Sequence, residues 1–283
     1  MNATGKKIIT IIQARRESTR LPDKIFMPLE GQPLFIRQIE RVQAAALCGR
    51  IVVATTHSAA DDRIVETCRR HNIDCFRGHA DDLLDRHYQA ARLYDADIVL
   101  KIPSDCPLID PAVIDKVIAY YLDNADRYDY VSNLHPASYP DGNDVEIMPF
   151  SILEQAWSNA SRLMEREHTT PYIWERPEQF RIGNVEMEDA ADYSMTHRFT
   201  IDYEEDYQFI RSVYEALYPS NPLFTVQEIL DLVERRPDLY AINRHLAGVN
   251  WYRHHLDELK TVSAEETKKL DNNYRWKLST TKN

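Results

Sequence analysis

The chain has 283 residues and a formal net charge of −11 at pH 7, enough length for one large α/β domain or a domain with an appendage. An acidic balance argues against nonspecific nucleic-acid binding, which needs a basic field, and no run of about eighteen apolar residues offers a membrane span. The amino terminus enters an apolar segment without a signal-peptide core, and Cys48, Cys68, Cys75 and Cys106 include no CxxC pair, so reduced thiols in a cytoplasmic protein are expected.

Residues 8–12, Ile-Ile-Thr-Ile-Ile, are short and rich in β-branched side chains, which predicts a fully buried first strand. Arg15, Arg16, Arg20 and Lys24 then crowd into residues 15–24, with Ser18 and Thr19 among them. A basic loop at the carboxyl end of a first strand lies where open α/β sheets bind ligands. Guanidinium forks and an ammonium suit a polyphosphate there. The loop spells neither the GxxxxGK[ST] of a P-loop nor the GxGxxG of a dinucleotide fold.

Helices are predicted over 33–46, 61–70, 81–94 and 111–122, alternating with strands over 51–54, 74–76 and 98–102. Repeated β-α-β units imply a doubly wound parallel sheet with right-handed crossovers. From about 128 the rhythm changes. Strands are expected over 128–132, 145–148, 180–185 and 198–201, with helices after Pro149 and over 165–175, 205–217 and 226–235. The last of these opens on a Thr225–Glu228 capping box. Residues 135–143 are turn-rich and read as a binding loop. The polar tail, with isolated Trp251 and Trp276, reads either as docked helices or as an oligomer contact.

Two further stretches carry chemistry. In 102–110 a buried strand ends near Asp105, a hard oxygen ligand suited to Mg2+, which typically takes one or two carboxylates plus substrate phosphates. Taken alone, Asp105 reads more readily as a turn cap. Cys106 has no base beside it and reads as a buried inert thiol. In 198–206, Asp202 closes an expected strand and could converge on the same metal. Glu204, Glu205 and Asp206 read as favourable charge on a helix's first turn.

Together these residues resemble the cytidylyltransferases of the CMP-sugar synthetase superfamily, which includes CMP-Kdo and CMP-acylneuraminate synthetases. The resemblance is greatest to the subgroup named after the spore-coat polysaccharide protein SpsF. It is carried by Ile12-Gln13-Ala14-Arg15 with Ser18-Thr19-Arg20-Leu21-Pro22 and Lys24, by Ser104 to Asp110, by Tyr139 to Glu146, by Arg166 to Ile173 and by Arg198 to Asp206. It spans about residues 6–245, read as a nucleotidyltransferase domain with an acceptor-binding insert at about 128–190, leaving 246–283 as a polar extension. One position departs from the pattern: Asp23 stands where the family usually has glycine.

The resemblance implies a Rossmann-like, mostly parallel but mixed sheet of the nucleotidyltransferase or GT-A-like type, in a three-layer α/β/α arrangement. It implies transfer of CMP from CTP to a small polar acceptor, such as a sugar acid, with release of pyrophosphate, for surface polysaccharide or glycoconjugate precursors. By this likeness Arg15 and Lys24 would grip the triphosphate, helped by Arg20, and Asp105 and Asp202 would hold Mg2+. Ala14, Thr55, His57, Asp61 and Ser104 would surround the rest of the nucleotide. Tyr139, Asp141, Asn143, Glu146, Glu167, His168 and Thr170 would meet the acceptor, and a homodimer is expected. Two alternatives stay open on the sequence, a nucleotide-sugar glycosyltransferase and a non-catalytic nucleotide-binding protein. The first normally carries DxD at a strand end, whereas Asp95-Ala96-Asp97 precedes a strand.

Overall fold

Among the described residues the strands are, in chain order, β1 (Ile8–Gln13), β2 (Pro28–Leu29), β3 (Gln32–Pro33), β4 (Arg50–Thr56), β5 (Asp74–Gly78), β6 (Ile98–Pro103), β7 (Tyr130–Ser132), β8 (Glu146–Pro149) and β9 (Ile182–Asn184). The helices are α1 (Leu34–Ala44), α2 (Asp62–Arg70), α3 (Leu83–Leu93), α4 (Pro111–Asp123), α5 (Phe150–Asn159), α6 (Leu163–His168), α7 (Pro171–Trp174), α8 (Glu204–Leu217), α9 (Val226–Arg235) and α10 (Pro237–Asn243). The computed structural model describes residues 5–269, so Trp276 lies outside the described residues.

Seven strands form one sheet in the order β5-β4-β1-β6-β8-β7-β9, and β2 pairs with β3 as a separate hairpin. β5, β4, β1 and β6 are parallel, β8 runs antiparallel to β6 and β7, and β9 is parallel to β7. The chain leaves β1 toward β4 on one side and later returns to pair β6 on the other. That reversal is the switch point at whose carboxyl edge such sheets open a crevice. Residues 128–190, expected as an insert, supply β7, β8 and β9 to this same sheet.

The unbroken apolar run of β1 follows from burial on both faces. Ile8 and Ile12 pack into a cluster with α1, α2 and α4, while Ile9 and Ile11 pack into the opposite cluster with α3, α5 and α7. Each such side chain contributes about 1.5–3 kcal/mol by leaving water. A third cluster joins α8, α9 and α10 to the β2–β3 hairpin. The Thr225–Glu228 capping box starts α9 as predicted.

Two expectations need correction. Residues 198–201 form no strand: Arg198 makes only an isolated bridge to Asp141, and Phe199 and Ile201 point into the α8 cluster. Their alternation imitates a strand without a sheet to join. The single helix expected over 165–175 is two helices, because Thr169 adopts φ 74°, outside the helical region.

Candidate active site

The basic loop leaves β1 with the Ala14 N–H still bonded to Ala54 O at 3.0 Å. The backbone then turns through Asp23, at φ 58° and ψ 17°. A left-handed residue here explains why glycine is the usual choice, and aspartate is among the few side chains that tolerate it. Its carboxylate turns away from Lys24 and takes a two-pronged pair from Arg16, Nε at 2.6 Å and Nη2 at 2.7 Å. That pair holds the Asp23 carboxyl below its ordinary range. Asp61 braces the same loop, accepting from Arg16 N at 2.9 Å and from the Thr56 hydroxyl at 2.5 Å. Of the loop's cations, Arg16 is therefore occupied. Arg15 is exposed and makes no ion pair among the described residues.

Lys24 is the hub of the site. Its Nζ donates to Ile201 O at 2.6 Å and Asp202 Oδ1 at 2.9 Å, and lies 3.4 Å from Asp105 Oδ2. Burial alone would depress this lysine, but Asp202 and Asp105 raise it above its ordinary value. Arg20 reaches Asp202 Oδ1 at 2.6 Å, and Arg198 reaches Asp202 Oδ2 at 3.2 Å. Burial would push the Asp202 carboxyl up; Lys24, Arg20 and Arg198 hold it well below the carboxylate range. Two aspartates nearly a hundred residues apart in sequence thus share one ammonium.

Backbone bonds set that convergence. Ile201 N and the Thr200 hydroxyl both donate to Asp105 O, at 3.0 and 2.9 Å. Phe199 N donates to Asp141 O at 2.6 Å and Asp141 N to His197 O at 3.1 Å. The approach is so close that a Cβ on Gly142, at φ 109°, would lie 2.6 Å from Phe199 C; only glycine fits. Beneath this seam the buried Arg198 bonds Asp206 at 2.9 and 3.2 Å, Asp141 at 3.0 Å and Val249 O at 2.8 Å. Asp206 also accepts from the backbone of Asp202 and Tyr203. It is a buried anchor, beyond the first-turn charge expected from the sequence, and needs Arg198 to offset its desolvation.

Beside Asp105 opens a cavity of about 600 Å3. Its wall includes Arg20, Asp105, Tyr139, Asp141, Asn143, Glu146, His168, Thr170 and Asp202, so most predicted triphosphate, metal and acceptor residues meet in one place. Glu146 on β8 faces its register partner Lys101 on β6, forms a buried ion pair with it, and accepts from Tyr130 Oη at 2.7 Å. Burial would raise the Glu146 carboxyl, but Lys101, Thr170 and Tyr130 outweigh it and keep it low. Asp141 is pushed up to about 8, mainly by burial and against the pull of Arg198. Asp144 is pushed up to about 6 by burial and by Asp105. His168 stacks on Trp251 with centroids 3.8 Å apart, and burial brings it down to about 3, so it stays neutral.

The remaining predicted residues lie elsewhere. Glu167 is exposed and absent from the cavity wall; it sits with His168 and His255, their ligand atoms within 4.8 Å of one another. His57 is exposed, Ser104 half-buried and Thr55 buried, with Thr55 and His57 at the carboxyl end of β4 next to the basic loop. The Thr55 hydroxyl and Gln13 Oε1 are buried without a hydrogen-bond partner among the described residues, which marks the β1–β4 edge as wanting polar groups from elsewhere. Asp97 of the DxD-like spelling accepts from Lys7 N at 2.7 Å, at the amino edge of the sheet, away from the cavity. Cys106 is buried and its thiol is raised well above its ordinary value by that burial, as an inert thiol should be. Residues to which the sequence assigned no role at the site also line the cavity: Lys101, Asp144, Trp174, Arg198, Trp251, Tyr252 and Arg253. Lys101, a lone charge inside a buried strand, was the legible signal, since such a group needs a partner.

Residues 9–244 match the family model described as cytidylyltransferase. The chain is 34% identical over 240 residues to an uncharacterized protein of Methanocaldococcus jannaschii, covering 85% of this chain and 96% of that one. It is 29% identical over 236 residues to the spore coat polysaccharide biosynthesis protein SpsF of Bacillus subtilis, covering 82% and 95%. A cytidylyltransferase structure from Leptospira borgpetersenii superposes with TM-score 0.77 at 32% identity, covering 83% of this chain and 97% of that one. No helix among the described residues is long and apolar enough to cross a membrane. A match over most of the chain, on a switch-point fold with a cationic loop and paired aspartates at its carboxyl edge, places the chain in the cytidylyltransferase family.

Proposed function

We propose that the protein transfers CMP from CTP to a small polar acceptor and releases pyrophosphate, in the synthesis of surface polysaccharide or glycoconjugate precursors. The carrying observation is the contact of Lys24 Nζ with both Asp105 and Asp202 at the carboxyl edge of β1 and β6. An acceptor hydroxyl oxygen bonds to the α-phosphorus, the bond from that phosphorus to the bridging oxygen of pyrophosphate breaks, and the hydroxyl proton leaves the acceptor. In this reading the exposed Arg15 closes on the triphosphate, with Arg20 facing it from the cavity side and Lys24 beside the two aspartates. Charge neutralisation and positioning then do most of the work.

Asp105 and Asp202 offer hard carboxylate oxygens close enough for one ammonium to touch both, a donor set that fits Mg2+. When bound, that ion supplies Lewis acidity and charge at the phosphates. Arg198 and Asp206 keep Asp202 in position, and the backbone donors of residues 200 and 201 hold the Asp105 segment. Tyr139, Asp141, Asn143, Glu146, His168 and Thr170 form the acceptor side, while Gln13, Ala14, Thr55, His57, Asp61 and Ser104 frame the nucleotide. The same reading takes residues 6–245 as the nucleotidyltransferase unit. It takes the family resemblance as its ground for expecting a cytoplasmic homodimer.

Pyrophosphate release is the test. Incubation with each nucleoside triphosphate, Mg2+ and a panel of hydroxylated sugar acids, amino sugars and amino alcohols should give release that prefers CTP. Hydrolysis of a nucleotide-sugar donor, with no release from any triphosphate, would overturn the proposal in favour of glycosyl transfer.

A further inference from the structure

Past the family match, which ends at residue 244, the chain folds back over the cavity. There Trp251 and Tyr252 meet Trp174 in an aromatic corner, with ring centroids 4.6 to 6.2 Å apart. Its faces are taken by imidazoles: His135 stacks on Trp174 at 4.3 Å and His168 on Trp251 at 3.8 Å. A second histidine arrives with Trp251. His255 follows the short 3-10 turn of Trp251–His254 and sets its ring edge-on to His168, centroids 5.5 Å apart.

These two imidazoles and the Glu167 carboxylate, at the end of α6, bring one ligand atom each within 4.8 Å of the others. A tetrahedral Zn2+ with bonds of about 2.0–2.1 Å holds its ligand atoms about 3.4 Å apart. Torsion of the exposed Glu167 and the partly exposed His255 supplies that closure.

The imidazoles are in the state a metal needs. Burial brings His168 down to about 3, so it is neutral, and its ring nitrogens take no hydrogen bond among the described residues. His255 Nδ1 lies 2.8 Å from Glu258 Oε1, the outer carboxylate contact that fixes the tautomer of a metal-ligating histidine and leaves Nε2 to bind. The Glu258 segment is itself anchored. Arg162 Nη1 donates to Glu258 O at 2.9 Å, Leu259 is buried, and the Glu175 carboxylate takes the N–H groups of Lys260 and Thr261 at 2.7 and 2.9 Å. Lys101 also acts on His168, but Glu146 neutralises it. Two neutral imidazoles and one carboxylate are the donor set of a Zn2+ site with an open fourth position. The all-oxygen pair of Asp105 and Asp202 suits Mg2+ instead.

We propose that Glu167, His168 and His255 bind a Zn2+ ion, which clamps the extension to α6 and fixes the Trp251 wall of the cavity. The site is separate from the Asp105–Asp202 pair and does not rest on the cytidylyl-transfer reading.

Calorimetry on the chelator-treated full chain titrates Zn2+ in excess Mg2+, so that the hard-oxygen pair is offered its own ion. One equivalent of Zn2+ should bind with micromolar affinity or better and raise Tm. Glu167→Gln and His255→Asn should each weaken it at least ten-fold, and Glu258→Gln, which removes only the outer contact, about ten-fold. Asp105→Asn should leave Zn2+ affinity unchanged. Co2+ in place of Zn2+ should give the visible absorption of a four-coordinate ion, lost in His255→Asn. Glu167 is exposed, so Glu167→Gln carries the test even where another variant melts early. No Zn2+ binding at micromolar concentration, binding that survives both Glu167→Gln and His255→Asn, or binding lost in Asp105→Asn would each overturn the proposal. Neither CTP binding nor pyrophosphate release enters these readouts, so the metal site and cytidylyl transfer stand or fall separately.

Discussion

Replacing Asp23 with glycine restores the residue that the family usually places before Lys24. Asp23 sits at φ 58°, and a left-handed conformation costs a non-glycine residue about 1–2 kcal/mol, with aspartate at the low end. Glycine recovers that cost but loses about 0.4–1 kcal/mol through the freer unfolded chain. The pair with Arg16 is solvent-facing and contributes little. The net change should stay within about 1 kcal/mol, a shift of at most roughly 4 °C in Tm for a chain of this size. Asp23→Ala keeps the strained backbone and loses the pair, so it should melt below Asp23→Gly. Because the Asp23 carboxylate faces Arg16 and not Lys24, CTP affinity should change by no more than about two-fold in Asp23→Gly, well under the ten-fold that 1.4 kcal/mol represents. Differential scanning calorimetry and CTP titration read the two effects. A ten-fold gain in CTP affinity would refute the geometry, since it would mean that Asp23 had been opposing the triphosphate through Lys24.

Other perturbations separate binding from folding. Arg15→Ala should weaken CTP at least ten-fold with Tm unchanged, because Arg15 is exposed and makes no ion pair among the described residues; calorimetry and melting check both halves. Asp105→Asn and Asp202→Asn should each abolish pyrophosphate release. Only the second should also cost roughly 3 kcal/mol in urea unfolding, since it strands Lys24, Arg20 and Arg198 around a neutral amide. Stability should fall as the pH drops from 7.5 to 5. Burial holds His87 and His168 down at about 3 and His135 at about 4 in the folded state, against about 6.5 unfolded. The unfolded chain therefore binds more protons below 6.5, and folding loses stability as the pH falls through that window. Asp141 and Asp144, raised to about 8 and 6, work in the opposite direction and should blunt the slope. His168→Asn should flatten it, measured by urea midpoints across pH. Gly142→Ala should be destabilising and should raise the acceptor KM more than the CTP KM, because its Cβ meets the backbone of Phe199.

Local signals carried much of the architecture. The β-branched runs that became β1, β4 and β6, the Thr225–Glu228 capping box and the cationic loop after β1 all rest on near neighbours in sequence. What failed depended on the third dimension. Phe199 and Ile201 alternate like strand residues, yet their backbone bonds go to Asp105 and Asp141 instead of a sheet edge. The break at Thr169 is announced only by Pro171 two residues on, which opens α7. Asp105 and Asp202 were singled out because motifs marked them, and they meet at Lys24, while Arg198 was quoted in a motif without its role as the shared buried partner. The aromatic corner was least legible, because Trp174 and Trp251 come together only when the extension folds back over the cavity. Asp23 was visible as a departure, and only its dihedral and its Arg16 partner explain how it is accommodated.

The most direct test is a crystal structure of the protein with CTP and Mg2+. The triphosphate should lie against Arg15, Arg20 and Lys24, with the metal held by Asp105 and Asp202 and the α-phosphorus open to the cavity. A nucleotide bound away from the carboxyl edge of β1, or none at saturating CTP, would contradict the account.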